Sequence, residues 1–191
     1  MGDPCGIGPE LTVKLLANSD ITEMADIVIV ADRRVHQFGE EITNSSIPYK
    51  VVEQVVVEEL QEHGLLLLDT PHYDIDSHIP GQVSKESGQY QLACLGVGLD
   101  LCRLGITDGM CFAPLNKEAM HMAGLTHEDE TGFFCEHLGH TGAFGILNTL
   151  GNLWTSRATS HVAHRLVGDL ITKDSVMNAT RLLDMALRAC G

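Results

Sequence analysis

Residues 108–138 decide how this chain is read: Asp108-Gly109-Met110-Cys111-Phe112-Ala113-Pro114-Leu115-Asn116-Lys117-Glu118-Ala119-Met120-His121-Met122-Ala123-Gly124-Leu125-Thr126-His127-Glu128-Asp129-Glu130-Thr131-Gly132-Phe133-Phe134-Cys135-Glu136-His137-Leu138. The apolar run Met110–Ala113 has the length and composition of a buried strand, and Pro114, which cannot donate to a ladder, stops it. Asn116, Lys117 and Glu118 follow where such a strand would emerge. A short helix closed by Gly124 comes next, and then a segment dense in His, acid and Thr. Ligands of open α/β sheets bind outside the carboxyl ends of strands, so chemistry is expected here. The same residues also fit an ordinary strand-turn-helix with a solvated acidic loop.

Toward the amino terminus, Ser84 suits the N-cap of a helix over Lys85–Leu104. Tyr90, Ala93, Cys94, Val97, Leu101 and Leu104 recur on its apolar face, and Gly96 and Gly98 point to a close neighbour. Ala25–Ala31, Pro48–Val52 and Leu65–Leu68 read as strands; the run Ile27–Val30 lacks alternation, as in a strand buried on both faces. Asp32-Arg33-Arg34 opens a short helix to Gly39, and Val55–Leu60 fits either a strand or a helix. Thr70–Pro80 is a loop. The opening Met1–Glu10 is a glycine-rich loop entering a helix, with Pro9 at the first helical position. It can offer N–H groups to an anion or serve as a tight connecting turn.

Toward the carboxyl terminus, Ala143–Leu147 and Leu153–Ala158 read as strands joined through Asn148–Asn152. Thr159–Arg165 places polar groups at a strand end. A last helix spans Lys173–Cys190, with Val176, Ala179, Leu182, Leu183, Met185 and Ala186 on one side. Strands alternating with helices predict an α/β fold with a doubly wound, mostly parallel sheet.

A formal net charge of −14 argues against nucleic acid or an acidic membrane as partner. It leaves room for a phosphorylated substrate, which needs only a few local cations and N–H groups. The six cysteines show no Cys-x-x-Cys spacing and read as small apolar residues of a reducing cytoplasm. With no signal-peptide pattern and no apolar run of membrane-spanning length, a soluble cytoplasmic protein is expected.

Among the ten histidines, His137 with His140, and His161 with His164, lie three apart, a spacing that can join two imidazoles but does not complete a metal site. His161 follows a predicted strand beside Thr159 and Ser160. Lys117 can bind an anionic group or balance Glu118.

Four segments together resemble the 4-hydroxythreonine-4-phosphate dehydrogenase (PdxA-type) family: 2–10 (GDPCGIGPE), 81–84 (GQVS), 113–119 (APLNKEA) and 159–161 (TSH). The resemblance implies an isocitrate/isopropylmalate dehydrogenase-like fold, two α/β lobes around a cleft, assembled as a homodimer. It also implies NAD- or NADP-dependent, divalent-metal-dependent oxidation of a small hydroxy acid such as 4-phosphohydroxy-L-threonine, with decarboxylation, as in pyridoxine biosynthesis. The metal would be Zn, Mg or Co. Residues 1–125 would form most of the first lobe and 126–191 part of a second, dimerising lobe. The chain looks like a family member cut at both ends, without the strand that opens the family's fold and without its carboxyl-terminal part.

Carried onto this sequence, His161 falls on a metal-binding histidine and Thr131 on the threonine that binds substrate phosphate. Asn116 and Lys117 complete the expected substrate-binding set with Glu130. That acid replaces a substrate-contacting histidine, and an acid would repel phosphate. It therefore suggests a non-phosphorylated substrate or a dihydrodiol-type relative. Catalytic and cofactor-contacting residues are left unassigned. Two other readings stand beside the enzyme: an inactive remnant acting as a folding or dimerising partner, and a metal-binding module built from His137, His140, His161 and His164.

Overall fold

The computed structural model describes residues 1–70, 73–77, 79–160 and 162–190. They divide into two compact units, Met1–Leu138 and Gly139–Gly191.

The first unit is built on a parallel sheet of β1 (Ile27–Ala31), β2 (Lys50–Val52) and β3 (Leu65–Asp69), in the order β1-β3-β2. β3 is the central strand, and its four leucines are all buried, which accounts for a run without alternation. Helices α1 (Gly8–Leu16), α2 (Ser19–Thr22), α3 (Arg33–Thr43) and α4 (Val57–His63) link or flank these strands, so this unit is α/β with alternating elements. The segment with two possible readings, Val55–Leu60, enters α4 at Val57. The helix expected to stop at Gly39 runs four residues further, to Thr43. Gly39 sits inside it because a Cβ there would lie 2.7 Å from the Pro9 carbonyl oxygen of α1.

α5 (Lys85–Arg103) matches its expected span closely, with the Ser84 hydroxyl accepting the Ser87 N–H at 3.1 Å. It is buried more widely than one stripe: Ser87, Gln91, Leu95 and Leu99 join Tyr90, Cys94 and Leu101 inside, while Leu104 is exposed. The breadth follows from its neighbours, α6 (Lys117–Met122), α7 (Glu130–Leu138) and β1. Gly96 receives the His137 ring and Gly98 the Met110 side chain, the close approaches expected of those glycines. Leu95, Met120 and Leu125 form the core between α5 and α6, with Phe133 and Phe134 of α7 against it. Residues 126–138 thus pack with the first unit.

Met110–Ala113 is not a strand. It runs without a ladder, with Cys111 and Phe112 exposed. Its partner is a loop: Pro114 accepts the Asp3 N–H at 2.9 Å, and Gly2, at φ +78°, lies so close that a Cβ would be 2.7 Å from the Ala113 and Pro114 carbonyl oxygens. Apolar composition predicted burial here, but no strand of the described residues lies beside this segment to accept its backbone groups.

The second unit also departs from expectation. Ala143–Leu147 forms no strand, and the strands are β4 (Asn148–Leu150) and β5 (Leu153–Thr155), an antiparallel hairpin turning through Gly151 and Asn152. Gly151 takes φ +54°, the backbone that a two-residue hairpin loop demands. A short turn at His164–Leu166 and α8 (Val167–Leu170) precede α9 (Lys173–Ala189). α9 carries a capping box, Thr172 with Ser175. Leu182 and Leu183 of its apolar side are half-buried, while Val176 and Met185 stay exposed.

Candidate functional site

The site begins with two helix starts. Asn116 is the N-cap of α6, its side-chain oxygen accepting the Ala119 N–H at 3.1 Å, so Lys117 is the first residue of that helix. Asp129 does the same for α7, accepting the N–H groups of Thr131 and Gly132 at 3.1 and 3.2 Å. The two starts face each other: Lys117 Nζ lies 3.7 Å from Glu130 Oε2. The partner of Lys117 is therefore Glu130, not its neighbour Glu118. Asn116, Lys117, Glu130 and Thr131, distant by up to fifteen residues in sequence, thus come from two adjoining helix starts.

The Lys117–Glu130 pair cancels charge locally, with Lys117 half-exposed and Glu130 the more buried. A carboxylate at this point restrains the cation from an incoming anion without abolishing its field. Thr131 lies on the first turn of α7, where its own N–H and that of Gly132 are taken by Asp129.

Behind Asn116 runs a buried polar chain that sequence reading missed. The Asn116 N–H donates to Gln91 Oε1 at 2.7 Å; Gln91 Nε2 donates to Ser87 Oγ at 3.1 Å; and Ser87 Oγ donates to Asp3 Oδ1 at 2.6 Å. Ser87 and Gln91 are fully buried and Asp3 nearly so. The signal was present: two polar residues four apart on the otherwise apolar face that holds Tyr90 and Cys94.

The glycine-rich opening is a tight turn rather than an anion cradle. Its own Asp3 carboxylate accepts the Cys5 N–H at 3.0 Å, the Asp3 carbonyl accepts Gly6 N–H, and the Asp3 N–H is spent on Pro114. An interior carboxylate would oppose a phosphate there.

At the carboxyl ends of β1 and β3, Asp32 is buried and bound by Arg34 through two side-chain hydrogen bonds, at 3.0 and 2.7 Å. Burial alone would raise its pKa; the Arg34 hydrogen bonds and charge outweigh that and hold it below the ordinary carboxylate value. Asp69 accepts the Arg33 N–H at 2.9 Å. Nearby, Tyr73 and Cys5, 3.1 Å apart, line a cleft of about 410 Å³ with Asp74, Gln82, Ser84 and Glu86. A second cleft, about 300 Å³, lies among Leu92, Leu125, Phe133 and His137. Neither is lined by the Lys117–Glu130 group.

His161 lies outside the described residues. Among those described, no group of three or more His, Cys, Asp or Glu side chains is placed to hold a metal ion. Of the histidines in the four-histidine reading, His137 is 3.3 Å from Asp100 and His140 bonds the Ala143 carbonyl. No helix of the described residues is long and apolar enough to cross a membrane.

The first unit is thus a parallel sheet with alternating helices, with polar groups gathered at the starts of α6 and α7. Residues 23–191 match the family model described as pyridoxal phosphate biosynthetic protein PdxA. A Pseudomonas aeruginosa protein named "Putative 4-hydroxythreonine-4-phosphate dehydrogenase 2" is 40% identical over the whole chain, which spans 57% of that relative. The D-threonate 4-phosphate dehydrogenase of Bordetella bronchiseptica is 29% identical over the whole chain and 54% of its own length. Among solved structures, a 4-hydroxythreonine-4-phosphate dehydrogenase from Klebsiella pneumoniae superposes with a TM-score of 0.84 at 24% identity, over 98% of this chain and 56% of that one. The chain belongs to the PdxA family. It spans a little over half the length of the curated relatives it matches.

Proposed function

We propose that the protein to which this chain belongs is an NAD- or NADP-dependent dehydrogenase of small phosphorylated hydroxy acids, of the 4-phosphohydroxy-L-threonine or D-threonate 4-phosphate kind. The observation that carries the reading is the Lys117–Glu130 pair, which brings the start of α6 to the first turn of α7, where Thr131 follows Glu130, in a chain of the PdxA family. A cation and a hydroxyl are donors that a phosphate ester uses.

In this reading Lys117 and Thr131 bind the anionic end of the substrate, Asn116 fixes the turn that carries Lys117, and Glu130 limits how strongly that cation attracts charge. His161 is the metal ligand contributed by this chain. When bound, a divalent cation (Zn, Mg or Co) would favour loss of the alcohol proton and polarise the carbonyl that forms, while the nicotinamide would accept the hydride. Loss of carbon dioxide from the resulting β-keto acid completes the proposed reaction. The remaining metal ligands and the cofactor contacts are left unassigned. An isocitrate dehydrogenase-like arrangement of two lobes is part of the same proposal, with residues 126–138, expected in the second lobe, assigned to the first, on which they pack. So are a homodimer and a cytoplasmic setting.

Glu130 supports a second reading, a substrate whose corresponding end is not phosphorylated, because an acid stands beside the cation. The two divide on one assay. NADH formation from D-threonate 4-phosphate in preference to D-threonate, abolished by His161→Ala, is expected on the first; the reverse preference favours the second. No turnover of either, by the chain or by the longest natural protein that contains it, would leave an inactive partner subunit.

A further inference from the structure

The chain Asn116–Gln91–Ser87–Asp3 has a direction. Every hydrogen bond donates the same way, from the Asn116 peptide through the Gln91 amide and the Ser87 hydroxyl to the Asp3 carboxylate. Ser87 Oγ also fixes which way the Gln91 amide faces, since Nε2 donates both to it and to the Ser87 carbonyl, at 3.2 Å, leaving Oε1 for Asn116. Chains of this kind polarise one another in a low-dielectric interior, and an ionised terminus strengthens them. Asp3 holds the same turn a second time, through its N–H on Pro114. The loop 114–116 is thus clamped at two points by one residue more than a hundred positions away.

We propose that Asp3, Ser87 and Gln91 are positioning residues for Lys117. Their chain holds the Asn116 peptide, the Asn116 side chain caps α6, and Lys117 is the first residue of that helix. A change in the chain moves the cation without touching it. The consequence for substrate rests on the proposed role of Lys117; the consequence for the turn does not.

The test uses Gln91→Leu and Gln91→Glu, read by amide exchange at Asn116, by the acylation rate of the Lys117 amine, and by affinity for D-threonate 4-phosphate. Gln91→Leu removes the acceptor, and exchange at Asn116 should rise about tenfold, the measure of one lost hydrogen bond, with β1 and β3 amides unchanged. Lys117 acylation should change and affinity should fall about as much. Gln91→Glu can accept from Asn116 yet donate to Ser87 only when protonated. Asn116 should therefore stay protected, while affinity, lowered by two carboxylates facing one Ser87 hydroxyl, should return as pH falls, a rescue the parent does not show. A role confined to core stability would not produce that profile. Unchanged Asn116 exchange in both variants overturns the proposal, as does faster exchange with Lys117 reactivity unaltered. Should Gln91→Leu not fold, Ser87→Ala takes its place. If the parent chain does not bind D-threonate 4-phosphate, the functional reading fails, and exchange and acylation still decide the positioning.

Discussion

A Cβ placed on Gly88 would collide with the carbonyl group of Ala119 and come within 2.9 Å of the Ala123 Cβ. Helix α5 and helix α6 therefore touch through backbone at this point, and the contact sets where α6 begins. Gly88→Ala gains about 1 kcal/mol in helix propensity but must push α6 away, an overpacking cost of about 3 kcal/mol. The expected result is a net loss of about 2 kcal/mol in denaturant unfolding and, on the proposed function, weaker binding at Lys117. A Gly88→Ala protein as stable as the parent would show that α6 yields freely.

His36 is fully buried, edge-on to Tyr49 with ring centroids 4.8 Å apart, and neither ring nitrogen has a hydrogen-bond partner among the described residues. Burial pushes its pKa below the ordinary histidine value, only partly opposed by Glu40 one turn on. The unfolded chain therefore binds a proton more readily than the folded one. Stability from a neutral His36 is complete above an unfolded pKa of about 6.5 and is lost as pH falls through the folded value. His36→Leu should melt within about 1 kcal/mol of the parent at pH 8 and show a flatter decline toward pH 5. Parallel melting curves across that range would remove His36 from the acid response.

Arg34 covers a carboxylate that has almost no access to water. Arg34→Met leaves Asp32 with the N-cap hydrogen bond to the Arg34 position's own N–H but without its cation, and should cost about 2 kcal/mol, moderated by the exposure of the arginine. Asp32 is held below the ordinary carboxylate pKa, so its contribution is present above about pH 4 and disappears as pH falls further. Urea titrations at pH 7 and pH 3 should show the variant's deficit shrinking at the lower pH.

The Lys117–Glu130 pair is partly solvated, so breaking it should change stability by no more than about 1 kcal/mol. Its effect falls on binding. On the proposed function, Glu130→Gln should bind D-threonate 4-phosphate about fivefold tighter and Lys117→Ala at least about tenfold weaker, by calorimetry. Tighter binding of D-threonate alone in Glu130→Gln would favour the non-phosphorylated reading.

Much of the scaffold was legible because local chemistry dictated it. The β3 leucines, the Ser84 cap and the amphipathic α9 each announce themselves within a dozen residues. The failures came where a segment's fate depends on what lies beside it. Met110–Ala113 has strand composition but meets a glycine turn, and Ala143–Leu147 yields its place to a hairpin set by Gly151. At the site, Asn116 and Lys117 stood out by their position after an apolar run. The Lys117–Glu130 pairing and the reach of Asp3 to residue 116 depend on how α5, α6 and α7 stack, which no short stretch encodes.

The strand order β1-β3-β2 has a consequence for how the chain is made. β1 and β2 are not neighbours; among the described residues each pairs with β3, which follows both in the chain. Until Leu65–Asp69 emerges, β1 and β2 lack the strand that joins them in this sheet. The three-stranded arrangement therefore awaits five residues that enter between two earlier strands, a non-local pairing of the kind that slows folding.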